Sequence, residues 1–175
     1  MDLPYSTDEL PTAFEGGYAS DQHVCQVAIG EYEVTDSGER LVAYGLGSCL
    51  GVALFDEKEA IAGLIHIKRP TAPSGTTSPK ATFADTGIRM LFDEMQSNGA
   101  TARHTEAILV GGADTGGAAS AVNMRLGERN ITHAKQTLDA LDIAVSNAAV
   151  GGDKPMSIHF HGGSGEATIE TDCTS

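Results

Sequence analysis

Four short apolar runs follow one another in the first half of the chain: Val24 to Val34, Leu41 to Leu46, Leu50 to Phe55 and Ile61 to Ile67. Turn-like residues such as Asp36-Ser37-Gly38 separate them. Short runs at this close spacing predict strands of an antiparallel or mixed sheet. The pattern then changes. Arg69 to Pro79 holds three prolines and a glycine and must be a loop. Phe83, Gly87, Ile88, Leu91 and Met95 share one helical face, and Asn98-Gly99 ends that helix. Glu106 to Val110 reads as a buried strand closing in Gly111-Gly112, followed by a small, Gly-rich segment over 113–122. A second helix is expected to start near Gly127 to Asn130, with Ile131, Ala134, Leu138 and Leu141 as its stripe. Ile143 to Val150 is another strand, and Met156 to Phe160 with Ala167 to Ile169 forms a final hairpin across His161 to Gly165. The expected fold class is α/β, a single-domain layered sandwich of mixed β-sheet with helices packed on it.

The chain has 175 residues, which suits one domain. Residues 1–22 read as a mobile acidic extension, 23–171 as the folded domain and 172–175 as a frayed tail. The 24 acidic residues outnumber 11 Lys and Arg, leaving a net charge of −13. That surplus repels phosphate backbones and anionic lipid, so nucleic acid and the membrane surface are excluded as partners. It also fits a protein adapted to a high-salt cytoplasm, where ions screen the self-repulsion. No signal peptide or apolar span is evident, so a cytoplasmic location is expected. The three cysteines, Cys25, Cys49 and Cys173, make no disulfide framework.

Chemistry concentrates at Gly45-Leu46-Gly47-Ser48-Cys49-Leu50-Gly51, between two strand-like runs. Glycines let backbone N–H groups converge near the cysteine, where they would lower its pKa and hold an oxyanion. The spacing fails the dinucleotide fingerprint, because the third glycine falls one residue late and a strand follows. His66 ends the Ile61 to Ile67 run. Neighbouring strands can bring a cysteine and a histidine side by side as nucleophile and base, although a strand-end histidine is equally at home as an ordinary hydrogen-bonded residue. Asn130 reads as a helix N-cap, and Arg129 beside it as a partner for a carboxylate. His159 and His161 face one side of a strand, as do His23 and Cys25, yet no further ligand pattern accompanies either pair. Neither a metal nor an organic cofactor is expected.

The ordered set GLGSCLGVALFD, AGLIHI, GGA at Gly111 to Ala113 and LGERN at Leu126 to Asn130, with a closing hairpin, resembles the CheD family of chemoreceptor glutamine deamidases. The likeness runs from about Val27 to about Glu170. It implies the layered fold shared with cytotoxic necrotizing factor deamidases, hydrolysis of glutamine side chains on methyl-accepting chemotaxis receptors, and partnership with a CheC-type phosphatase. With the acid surplus it also suggests a halophilic archaeal source. The family nucleophile falls on Cys49 and the family base on His66. Gly47 and Ser48 would support the oxyanion, and Arg129 and Asn130 the site. The family's third residue, a threonine six positions before the cysteine, is Ala43 here. Alanine has no group to orient an imidazole, so either another group such as a backbone carbonyl or water orients His66, or the triad is a dyad, or activity is reduced and the chain serves mainly as a regulatory module that binds the phosphatase.

Overall fold

The computed structural model describes residues 23–114 and 120–172, and leaves the side chains of residues 120–124 undescribed. The proposed extension at 1–22, the end of the proposed tail and Cys173 lie outside the described residues. Nine strands and two α-helices follow in the order β1 (Val24–Gln26), β2 (Tyr32–Thr35), β3 (Arg40–Leu46), β4 (Leu50–Asp56), β5 (Ile61–Ile67), α1 (Ala84–Ser97), β6 (Thr105–Gly111), α2 (Ser120–Ala140), β7 (Ala144–Val150), β8 (Met156–His161) and β9 (Ala167–Thr171) among the described residues.

The strands build two sheets rather than one, in the orders β9-β8-β3-β1 and β2-β5-β4-β6-β7. Both are mixed: β1 runs parallel to β3 and β7 parallel to β6, and the remaining pairings are antiparallel. The five-stranded sheet forms the middle layer. On one face Leu50, Val52, Ile65 and Leu109 pack against Ile88, Leu91, Met95 and Leu138 of the helices. On the other, Ala53, Ala62, Leu64 and Val110 pack against Leu41, Ala43, Ile158 and Phe160 of the four-stranded sheet. Burial on both faces explains why β4 and β5 read as unbroken apolar runs rather than alternating ones.

Two boundaries differ from the sequence reading. Val24 to Val34 is not one strand. It breaks after Gln26, and the chain crosses from one sheet to the other through a turn in which the Glu31 N–H donates to the Ala28 carbonyl at 3.0 Å. Polar Glu31 and Gly30 in the middle of the run are the reason. The second helix begins at Ser120, not near Gly127. Asn130 is therefore an interior residue and caps nothing. The small, Gly-rich stretch that leads into Ser120 hid the start of the helix.

Gly111 ends β6 with φ of +110°, and a Cβ there would meet the Cys49 carbonyl oxygen at 2.5 Å. Gly111→Ala is expected to cost more than about 1 kcal/mol, through both the positive φ and the forced shift of that oxygen. Urea unfolding checks this: an unchanged midpoint would mean the backbone yields freely there.

Candidate active site

The turn Gly47-Ser48-Cys49 joins β3 in one sheet to β4 in the other. Each of its three carbonyls is held. Gly47 O accepts from the Ala113 N–H at 2.6 Å and Cys49 O from the Gly112 N–H at 2.8 Å. Ser48 O accepts from Asn130 Nδ2 at 2.8 Å. The sequence chemistry that allows this is the pair of glycines where β6 exits and the glycine in α2. A Cβ on Gly127 would lie 2.6 Å from the Gly112 oxygen, so only glycine lets α2 sit on that backbone. Asn130, three residues on, shares the helix face and reaches the turn.

The N–H groups are used unequally. Gly47 N–H donates back to Gly45 O at 2.9 Å, so it is already engaged. Among the described residues, the Ser48 and Cys49 N–H groups donate to no protein acceptor. The expected oxyanion role of the turn thus narrows to Ser48 and Cys49.

His66 lies on β5, directly opposite Gly51 of β4. Cys49 precedes Gly51 by two residues and therefore shares its face. That face looks toward the four-stranded sheet, because Ala62 and Leu64 of the same parity pack there, as does the half-buried Cys49. Diagonal neighbours on an antiparallel pair lie about 7 Å apart, within reach of a long ring. The structure thus brings Cys49 and His66 to one face.

His66 is 3% exposed, and its Nδ1 lies 3.2 Å from the Val27 carbonyl oxygen. A carbonyl only accepts, so Nδ1 carries the hydrogen and Nε2 presents its lone pair. Nε2 is buried without a hydrogen-bond partner among the described residues. Burial pushes the His66 pKa below the ordinary imidazole value, and the Val27 contact opposes this only partly. The ring therefore rests neutral, with a free basic nitrogen. Ala43 is fully buried and packs in the same inter-sheet cluster.

The thiol departs from expectation. Burial pushes the Cys49 pKa up, and the nearby Lys68 ammonium pulls against it. The turn does not deliver a resting thiolate: the direction of each shift favours the neutral thiol and the neutral imidazole. Lys68 and the Val27 carbonyl were not picked out from the sequence. Extending the β4–β5 register by one residue would place 68 opposite 49, whereas Val27 required knowing where the first run breaks. Lys68→Met is expected to slow alkylation of Cys49 by iodoacetamide several-fold at neutral pH, because less thiolate forms; an unchanged rate would remove Lys68 from the site's electrostatics.

Asn130 is fully buried, and its Nδ2 also donates to Lys68 O at 3.1 Å. One amide thus ties the cysteine turn to the end of the histidine strand. Its Oδ1 is buried without a partner among the described residues, a cost of about 1–3 kcal/mol. Arg129 is exposed, so the carboxylate partner expected for it is not found among the described residues. No group of three or more His, Cys, Asp or Glu residues that could hold a metal occurs among the described residues. No helix there is long and apolar enough to cross a membrane. A cavity of about 240 Å³ lined by Phe55, His104 and Phe160 lies at the opposite end of β4 from Cys49, so it is no part of this site.

Residues 68–171 match the family model described as CheD chemotactic sensory transduction. A Haloarcula marismortui protein named "Probable chemoreceptor glutamine deamidase CheD" is 34% identical over 83% of this chain and 84% of its own length. A protein of the same name from Desulforamulus reducens is 37% identical over 83% of this chain and 89% of its own. The family model starts beyond Cys49 and His66, but any span of 83% of this chain includes both. Relatives of this grade also occur in Caldanaerobacter subterraneus, so kinship does not point to a halophilic archaeal source. Among solved structures, a Neisseria meningitidis protein of the DUF152 family aligns over 88% of this chain and 77% of its own, at 12% identity and a TM-score of 0.48.

Proposed function

The chain belongs to the CheD family, and from that premise we propose that it hydrolyses glutamine side-chain amides on methyl-accepting chemotaxis receptors to glutamate, with Cys49 as nucleophile and His66 as base. The observation that carries this reading is the His66 ring: Nδ1 is committed to Val27 O while Nε2 stands buried and free on the face shared with Cys49. Nε2 takes the thiol proton as sulfur attacks the amide carbon. The developing oxyanion is met by the Ser48 and Cys49 N–H groups. The protonated ring then gives its proton to departing ammonia, and water hydrolyses the thioester. No metal or organic cofactor enters this scheme. The Val27 carbonyl stands in for the missing threonine at Ala43, so the alanine need not disable the site.

A second reading keeps the chain mainly as a binding module for a CheC-type phosphatase, and Ala43 is what favours it. One experiment separates the two. The protein is incubated with a receptor cytoplasmic fragment in high salt, to which the acidic surface is suited, and receptor peptides are mass-analysed for glutamine turned to glutamate. Conversion supports the enzyme. A blank result, with a CheC-type protein still captured by wild type and Cys49→Ser alike, would replace it with the module.

A further inference from the structure

We propose that Asn130 is the positioning residue that aims the Cys49 N–H at the reacting carbonyl, acting through the Ser48 carbonyl. The inference rests on the thiol reading of the site above. The Ser48 C=O and the Cys49 N–H belong to one peptide plane, and no cis peptide occurs among the described residues. In a trans plane the two groups point in opposite directions. Anchoring Ser48 O on Asn130 Nδ2 at 2.8 Å therefore turns the Cys49 N–H away from α2 and holds it there. That N–H has no protein acceptor among the described residues. A carbonyl already accepting a hydrogen bond also makes the N–H of its own plane a stronger donor.

The chemistry of residue 130 fits this role. Two carbonyls, Ser48 O and Lys68 O, converge on Nδ2, so the position demands a two-hydrogen donor. An ionised aspartate has none, and a leucine, with the same branched skeleton, has none. The opposite end of the same amide, Oδ1, is left buried and unpartnered among the described residues. Asn130 touches no substrate in this scheme. It sets the direction of a group that does.

The test compares two reactions of the same sulfur. Acylation of Cys49 by p-nitrophenyl acetate passes through a tetrahedral oxyanion. The sulfur–carbon bond forms as the thiol proton moves to His66 Nε2, the carbonyl electron pair moves to oxygen, and it returns as nitrophenolate leaves. Alkylation by iodoacetamide displaces iodide directly and makes no oxyanion. Both rates are measured for the full chain, wild type, Asn130→Asp and Asn130→Leu, with the modified peptide identified by mass spectrometry. Leucine guards against a buried carboxylate preventing folding. The ratio of acylation to alkylation is expected to fall about 100-fold in the variants. A ratio that holds within about threefold, whether both rates fall together or neither falls, would overturn the proposal. A wild-type Cys49 that is alkylated yet never acylated would overturn the thiol reading itself, and the Asn130 role with it. Acylation without any receptor conversion would instead count against the proposed substrate alone.

Discussion

Replacing Cys49 by serine is expected to lower the rate of glutamine hydrolysis by at least about 10³-fold. The change removes one sulfur and adds one oxygen, and the surrounding turn stays pinned by Gly112, Ala113 and Asn130. An alkoxide is far harder to form than a thiolate, and a neutral imidazole does not supply the difference. His66 rests neutral because burial lowers its pKa, so it is a weaker base than a free imidazole. Folding should be little altered, because the side chain is only half-buried. Receptor-peptide mass spectrometry on matched amounts of both proteins reads the effect. Retained turnover would remove Cys49 as nucleophile. Cys25 provides an internal comparison. Burial pushes its pKa up and Glu39 and Glu33 add to that, while at Cys49 burial also raises the pKa and Lys68 opposes it. With His66 Nε2 on its face to take the thiol proton, Cys49 should be labelled by iodoacetamide faster than Cys25, and the reverse order would contradict an activating base.

His66→Gln should cost about 10²–10⁴-fold in kcat/KM, the usual contribution of a positioned base. Glutamine can keep a donor toward Val27 O but offers no basic nitrogen. The wild-type pH profile follows from the direction of the shift. The ring must be neutral to accept the proton, and burial holds its pKa below the ordinary value. The acidic limb of kcat/KM should accordingly lie below about pH 6.5, the unperturbed imidazole pKa. The same depression has a stability sign. The unfolded chain binds a proton at higher pH than the folded one, so stability is full above the ordinary imidazole pKa. It declines as pH falls from there toward the depressed value. His66→Gln should flatten that decline. A limb at or above the ordinary value, or an unchanged decline in the variant, would contradict a buried neutral base.

How much of this was legible in the residues depends on the kind of signal. Apolar runs gave away β4, β5 and β6, and the stripe of Phe83 to Met95 gave away α1, because burial writes directly into the pattern. The layered α/β architecture was also legible, but not its division into two sheets. That depends on where the chain crosses between layers, and the crossings at Val27 to Glu31 and at Gly47 to Cys49 are made by backbone turns. The start of α2 was missed because the small, Gly-rich stretch leading into Ser120 reads as loop, and with it the place of Asn130 was misread. Cys49 and His66 stood out as residue types at suggestive strand ends. Val27 acts on His66 only through its carbonyl, which every residue has, so no sequence pattern marks that role. The raised thiol pKa was also out of reach, because burial at the seam between two sheets outweighs what a glycine-rich turn suggests.

The most direct test of the account is deamidation in oxygen-18 water. A receptor cytoplasmic fragment is incubated in that water with wild type and, in parallel, with Cys49→Ser, and receptor peptides are mass-analysed. The account predicts glutamates that carry one solvent oxygen-18 with wild type, since water cleaves the thioester, and unchanged glutamines with the variant. Labelled glutamate formed equally well by Cys49→Ser, or no labelled glutamate with either protein, would contradict it.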